Sequence, residues 1–305
     1  MDCAIIGFGN VGKIYYKHIL DNPKLNLKYI YDTRVEEVLL ENKAEVLLEN
    51  EEDSPLESEK NGSLENNYIV SDRLDLIISD PNLFIVFICT PIDTCYEFVK
   101  KAISFGKHVL CDKLLSRNEK QIKELYEYSY EQRVVLLSGF NKRYEPQINN
   151  LKEELEFNKI GEINKVTTYI HNLDVIPSLD VIPSLDVSPS LDIISNGNIK
   201  DFDFLFNKFY YEIDYINWLM DDKPISVMIT NENNLKLVME YKNDSIATIN
   251  VVNEYKLEIK GVYGNLKVDK PLDIITSYKK QMEHFLDVID GVDDILVWKV
   301  DCTDP

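Results

Sequence analysis

Two short stretches carry residues whose types and spacing could do chemistry. In "AIIGFGNVGK", Gly7, Phe8, Gly9, Asn10, Val11 and Gly12 stand in the spacing G-x-G-x-x-G, after an apolar run and ahead of an amphipathic one. At that spacing Gly7 permits a tight turn and Gly9 lets backbone N–H groups approach a pyrophosphate. Gly12 lets a helix pack closely on its strand, and the helix N-terminus favours negative charge. Asp32 follows Gly12 by 20 residues, at the end of a second apolar run, where a carboxylate can accept from adenosine ribose hydroxyls. It would repel a 2′-phosphate, so the cofactor expected is NAD in preference to NADP. Arg34, two residues further on, moderates that preference.

The second stretch is "KHVLCDKLLS", residues 107–116. Val109, Leu110 and Cys111 read as a short buried strand that ends in Asp112 and Lys113, with Leu114 and Leu115 behind them. A lysine there is either a solvated strand-end residue or an ammonium aimed into a cleft. The carboxyl end of a parallel strand, where ligands bind in open α/β sheets, favours the cleft.

The elements that must position these residues follow from periodicity. Strand-like runs at 2–6, 27–32, 68–71, 83–89, 108–111 and 134–138 alternate with amphipathic segments, the pattern of a parallel sheet. "TCYEFVKKAISFG" sets Phe98, Ala102 and Ile103 on one helix face and stops at Gly106. "SRNEKQIKELYEYSYEQ" opens with Ser116 and Glu119, a capping-box signature. After a linking helix in "YEPQINNLKEELEF", runs at 162–170, 225–230, 235–241, 245–252, 256–260 and 265–268 predict an antiparallel sheet. A helix in "SYKKQMEHFLDVIDG" presents Met282, Phe285, Leu286 and Ile289. The expected division is 1–140 and 141–305.

Two tandem repeats and an acidic stretch interrupt this plan. "EVLLENKAEVLLEN" (37–50) duplicates a short unit, and residues 173–194 carry a six-residue unit four times with Pro177, Pro183 and Pro189 in register. Proline at that period rules out a continuous helix, and so short a unit cannot bury a solenoid core. An expanded surface loop is the favoured reading, a lid or partner-binding segment the other. The acidic insertion at about 40–67 holds almost no core residues.

A length of 305 residues, 45% hydrophobic and 28% charged, suits a globular protein of two domains. The net charge of −20 argues against a general nucleic-acid binder. No apolar run is long enough to cross a bilayer, and the N-terminus lacks the marks of a signal peptide. Five scattered cysteines without CxxC spacing predict a reduced, cytoplasmic protein. The four histidines, His18, His108, His171 and His284, show no metal spacing, so no metal is expected.

Further motifs stand in order along the chain: Cys89-Thr90-Pro91, Gly106-Lys107-His108-Val109, Lys113, then Gly139-Phe140-Asn141 with Arg143 and Pro146. "YYEIDYINWLM", "KLEIKGVYGNLKV" and "QMEHFLDVIDG" follow. In these the chain resembles the glucose–fructose oxidoreductase, inositol dehydrogenase and MocA family, nearest its inositol 2-dehydrogenase-like branch. The likeness covers nearly the whole chain apart from the insertions. It implies a Rossmann domain with a doubly wound parallel sheet, and a C-terminal α+β domain with an open, mainly antiparallel sheet. It implies hydride transfer between a nicotinamide and a polyol, sugar or cyclic diol, and by analogy a homo-oligomer through the second-domain sheet.

In that scheme Lys113 reaches both the nicotinamide ribose and the substrate hydroxyl, where its charge stabilises developing alkoxide. Cys89, Thr90 and Pro91 line the nicotinamide side, and Asp112 stands where the family has Glu. The family's acid/base histidine aligns with Tyr211, and the Asp that orients it with Asn207; Asp201 is a rival for that carboxylate. A phenol titrates near ~10, so Tyr211 needs a nearby charge such as Lys113 to act, and core packing is the alternative for it. Leu114 replaces a proline, Cys95 replaces a histidine, and the chain ends at Pro305 where family members continue with one more helix. These departures leave a non-catalytic, dinucleotide-binding or interaction protein as the rival to an enzyme.

Overall fold

The computed structural model describes residues 1–40, 68–171, 194–195, 198–199, 202–230, 235–252, 255–269 and 273–291, with the backbone alone at 171 and at 194–208. The six-residue repeat, the second half of the shorter repeat, the acidic insertion, Asp201 and Cys302 lie outside the described residues. The chain forms two compact units, one of Met1–Gly139 with the chain from Tyr278 onward, the other Phe140–Ser277. The last helix therefore begins in the second unit and ends in the first.

The first unit is a six-stranded, all-parallel sheet in the order β3-β2-β1-β4-β5-β6. The strands are β1 (Asp2–Ile6), β2 (Asn26–Tyr31), β3 (Ile69–Ser71), β4 (Leu83–Ile88), β5 (His108–Cys111) and β6 (Leu136–Ser138). Helices α1 (Asn10–Leu20), α2 (described over 35–40), α3 (Leu74–Ile78), α4 (Ile92–Ser104) and α5 (Glu119–Glu131) connect them. Strands buried on both faces read as unbroken apolar runs, and β1 and β4 do so. The strand order reverses at β1 and β4, which puts the loops after them at the switch point where such sheets bind ligands.

Local chemistry sets the helix ends. α4 closes at Gly106, whose φ of +68° suits glycine. The helix expected to open at Ser116 instead takes Asn118 as its cap: the Asn118 side chain accepts from the Lys120 N–H. Ser116 Oγ accepts from the Asn118 N–H and donates to Gln121 Oε1, so it braces the approach and the first turn without being the cap. On α8 (Ile274–Ile289), Met282, Phe285, Leu286 and Val288 are buried. Tyr278 and Phe285 of that helix pack on Tyr15 and Phe87 of the first unit, with ring centroids 5.4 and 6.2 Å apart.

The second unit contains α6 (Pro146–Glu156), α7 (Phe202–Met220) and a six-stranded sheet ordered β10-β11-β12-β7-β13-β14. Its strands are β7 (Ile163–His171), β10 (Ser226–Thr230), β11 (Lys236–Glu240), β12 (Ile246–Val252), β13 (Lys256–Gly261) and β14 (Asn265–Val268); two-residue strands β8 (Ile194–Ser195) and β9 (Asn198–Ile199) form a separate pair. The sheet is mixed: β7 and β12, far apart in sequence, pair in parallel, while the other pairs are antiparallel. Hairpin spacing predicts the antiparallel pairs, but it says nothing of two strands joined by a long excursion. Leu237, Met239, Ile249, Val166, Leu257 and Ile259 cover one face and form the core with Phe209, Tyr215 and Ile216 of α7.

Candidate active site

The glycine loop is built by contact. β1 enters the turn buried, and Gly7, at φ +95°, donates its N–H to the Tyr31 carbonyl at 2.7 Å. A Cβ on Gly7 would stand 2.9 Å from Thr90 Cγ2 and 3.0 Å from the Cys89 carbonyl carbon, so the loop lies flush on the β4–α4 turn. A Cβ on Gly12 would stand 2.2 Å from the Gly7 carbonyl oxygen, which pins the start of α1 against its own strand. Gly9 differs. It caps α1 in an extended conformation, and no described atom lies within 4 Å of where its Cβ would be. Beside the first turn of a helix, with Asn10 exposed and Val11 buried, this is a cradle that a side chain would fill.

Asp32 sits directly beside that loop, only 6% exposed. Its Oδ2 accepts from the Phe8 N–H at 2.8 Å, and its Oδ1 accepts from the Arg34 N–H at 2.9 Å and Arg34 Nε at 3.2 Å. Burial pushes this carboxyl up, yet the backbone N–H groups of Arg34 and Phe8 and the Arg34 guanidinium together hold it below its ordinary value. Asp32 is thus an anion in place beside the loop. Arg34, 55% exposed, also reaches Glu37, so a cation and two anions stand together beside the loop.

The turn after β4 carries Cys89, Thr90 and Pro91. Cys89 donates its N–H to the Ile6 carbonyl at 2.8 Å, which ties this turn to β1. Burial, and then the Asp112 charge, push its thiol well above the ordinary range, which favours the neutral thiol. Thr90 is buried and accepts from Thr94 Oγ1 at 2.9 Å; Pro91 caps α4. Cys95 is fully buried, its Sγ 3.4 Å from the Pro91 carbonyl and 3.6 Å from that of Thr90. The residue that replaces histidine therefore secures the turn from beneath.

At the end of β5, Asp112 is 1% exposed and pairs with its neighbour: Lys113 Nζ stands 2.9 Å from Asp112 Oδ2. Lys113 keeps 30% of its side chain exposed, so the ammonium sits at the boundary with a buried carboxylate under it. Leu115, fully buried, anchors the chain behind them. Gly139 packs so closely that a Cβ there would fall 2.2 Å from the Asp112 carbonyl oxygen. Sequence reasoning missed this support; its signal was the glycine that follows β6. Glycine loop, Asp32, Cys89–Pro91 and Asp112–Lys113 all lie at the carboxyl edge of one sheet.

In the second unit Tyr211 is partly exposed on α7, its ring 4.0 Å from that of Tyr210 and tilted by 33°. Asn207 lies on the same helix, four residues earlier; its side chain is outside the described residues. Arg143 Nε donates to Asp214 Oδ2 at 2.6 Å, with a second guanidinium bond to Oδ1. Burial raises the Asp214 carboxyl above its ordinary value, and Arg143 draws it only part of the way back. Lys142 pairs with buried Glu212. Consecutive cations thus grip the two acids that flank Ile213, fixing the helix that presents Tyr211. Among the described residues no group of three or more His, Cys, Asp or Glu could hold a metal, and no helix is long and apolar enough to cross a membrane.

Residues 1–140 match the model of the glucose–fructose oxidoreductase, inositol dehydrogenase and MocA family, described as an oxidoreductase family with an NAD-binding Rossmann fold. The first domain belongs to that family. The chain also carries likeness to individual proteins. Over 158 residues it is 27% identical to the uncharacterized oxidoreductase YrbE of Bacillus subtilis, covering 52% of this chain and 40% of that protein. Over 86 residues it is 35% identical to myo-inositol 2-dehydrogenase of Thermotoga maritima, covering 28% of this chain and 26% of that enzyme. The matches thus span less than half of those relatives' own length. The scyllo-inositol dehydrogenase of Lactobacillus casei, solved with bound NAD(H) and scyllo-inositol, superposes with a TM-score of 0.70 at 14% identity, covering 97% of this chain and 90% of that one. That likeness extends the shared fold through the second domain.

Proposed function

We propose that this chain is an NAD-dependent dehydrogenase acting on a hydroxyl of a polyol, sugar or cyclic diol. The observation that carries the reading is Lys113, a partly exposed ammonium backed by buried Asp112 at the same sheet edge as the open glycine cradle and the Asp32 carboxylate. Gly7, Phe8, Gly9, Asn10, Val11 and Gly12 would hold the pyrophosphate and Asp32 the adenosine ribose. Arg34 lies beside that ribose position, and Cys89, Thr90, Pro91 and Asp112 would border the nicotinamide. Asp32 beside the ribose favours NAD over NADP. The nicotinamide supplies the hydride acceptor or donor when bound.

Oxidation of an alcohol removes a hydride from carbon and a proton from oxygen, so the protein's task is to orient the hydroxyl and manage that proton. Lys113 is assigned the hydroxyl: its charge lowers the cost of forming alkoxide. Tyr211 is the candidate acid/base and Asn207 the group in the orienting position, both on the strength of the family resemblance. A second reading, a dinucleotide-binding protein without catalysis, draws support from the Tyr210–Tyr211 stack, which suits plain aromatic packing. The deciding experiment is an NADH titration followed by nicotinamide fluorescence, then assays on polyols and cyclic diols with wild type and Lys113→Ala. Turnover abolished in Lys113→Ala supports the enzyme. Binding without turnover on any substrate leaves the second reading, and no binding of either dinucleotide overturns both.

A further inference from the structure

An arginine grips an oxyanion with two parallel N–H groups on one edge of its planar guanidinium. One edge is formed by Nε and Nη2, the other by Nη1 and Nη2. Arg143 shows that grip in this chain, with Nε and Nη2 both on Asp214. Arg34 is held differently. Its Nε donates to Asp32 Oδ1 at 3.2 Å and its Nη1 to Glu37 Oε2 at 3.3 Å, so each edge already has one donor engaged.

Local structure sets this arrangement. The Arg34 carbonyl accepts from the Val38 N–H at 3.1 Å, so Glu37 lies in the first turn of α2, where a carboxylate suits the helix N-terminus. Residues three apart on a helix are neighbours, which brings Glu37 to Arg34. The Arg34 N–H is fixed on Asp32 as well, at 2.9 Å. Other charges stand close by. Glu36 is exposed on the same turn, and Asp72 and Arg73 are exposed where β3 ends. That end is tied to β2 by the Asp32 N–H on the Ser71 carbonyl at 3.3 Å. Among the described residues no ion pair joins Arg73 to Asp32, Glu36 or Glu37, so it does not compete for the acids on Arg34.

We propose that Glu37 is a positioning residue for cofactor choice: by holding Arg34 Nη1 it keeps the guanidinium from gripping a 2′-phosphate, and so favours NAD over NADP. The inference rests on the reading that Asp32 takes the adenosine ribose. On that reading the ribose and Arg34 share one carboxylate, and a 2′-phosphate would turn to the arginine for its counter-charge. To be gripped by an edge, the phosphate must displace Glu37 or Asp32, and it meets the repulsion of both carboxylates. A 2′-hydroxyl is neutral and meets neither cost. Asp32 alone would repel the phosphate while Arg34 attracted it; Glu37 removes that attraction and so sharpens the choice.

The test titrates the full chain with NADH and with NADPH, read by nicotinamide fluorescence, in wild type, Glu37→Ala, Arg34→Ala and the double variant. Wild type is expected to bind NADH the tighter. Glu37→Ala should strengthen NADPH by about five- to tenfold and leave NADH within about twofold. Most of that gain should vanish when Arg34 is also alanine. The Arg34 and Glu37 side chains are 55% and 64% exposed, so an unchanged thermal melt certifies each variant. Unchanged NADPH affinity in Glu37→Ala overturns the proposal, as does tighter binding of NADPH by wild type. An equal gain without Arg34 overturns it too, since Glu37 would then act by repulsion alone. Equal loss of both dinucleotides with a lowered melt would mean that Glu37 only supports the helix end, and also overturns it. Failure of wild type to bind either dinucleotide overturns the dehydrogenase reading along with this one; the other adverse outcomes leave that reading standing.

Discussion

Replacing Gly9 and Gly12 each by alanine separates the part of the glycine loop that makes the fold from the part that faces a ligand. At Gly9 the backbone is extended, with φ −80°, and the added methyl meets no described atom within 4 Å. Alanine is a poorer helix cap than glycine, but it also restricts the unfolded chain by about 0.4–1 kcal/mol, so the two terms nearly cancel. Stability should change by less than about 1 kcal/mol, or about 2–4 °C in Tm. The methyl would, however, occupy the space where a pyrophosphate approaches the backbone. Losing one hydrogen bond to a charged group costs about 1.5–3 kcal/mol, a Kd for NADH weaker by about ten- to hundredfold. At Gly12 the methyl would stand 2.2 Å from the Gly7 carbonyl oxygen, a backbone atom that cannot swing aside. Overpacking of that kind costs about 1–3 kcal/mol and should lower Tm by several degrees. Nicotinamide fluorescence titration and thermal melts of both variants decide the matter. Gly9→Ala binding NADH as wild type does would refute the cradle, and Gly9→Ala melting as low as Gly12→Ala would refute the open space beneath it.

Other substitutions probe the supports around the site. Asp112→Asn removes the buried partner of Lys113, and turnover should fall about tenfold or more, measured by steady-state kinetics, with NADH affinity held within about threefold. Arg143→Ala leaves Asp214 buried without its guanidinium, which should cost about 3–5 kcal/mol, seen as a large loss in Tm. His108 titrates below its ordinary value because burial disfavours its charged form, and its Nδ1 accepts from the Val135 N–H at 3.0 Å. Its native state favours neutral imidazole, so the stability it contributes is present above the unfolded value near ~6.5 and is lost as pH falls below that. Chemical denaturation at pH 7.5 and pH 5.5 should show a larger loss in wild type than in His108→Gln; equal losses would mean that His108 is not the group responsible.

Much of the first unit was legible in the residue order because its constraints are local. A strand buried on both faces must be an unbroken apolar run, and "LFIVFI" of β4 can hardly be otherwise. The G-x-G-x-x-G turn needs glycine at Gly7 and Gly12 for reasons of backbone conformation and contact that any sequence shares. The cap of α5 moved from Ser116 to Asn118 because both side chains can accept, and only the path of the preceding turn chooses between them.

What the order of residues determined on its own was the parallel sheet, its glycine loop, the acid at Asp32 and the place of Lys113 at a strand end. Tertiary structure decided which distant groups serve them. Gly139 yields room to Asp112, Cys95 on α4 braces the turn of Thr90 and Pro91, and β7 pairs in parallel with β12 to gather lysines from separate strands onto one face. The physical reason is range: backbone conformation and burial pattern act over a few residues and leave a periodic trace. A contact between residues far apart along the chain, such as Gly139 with Asp112 or Lys165 with Lys260, exists only after the elements have packed.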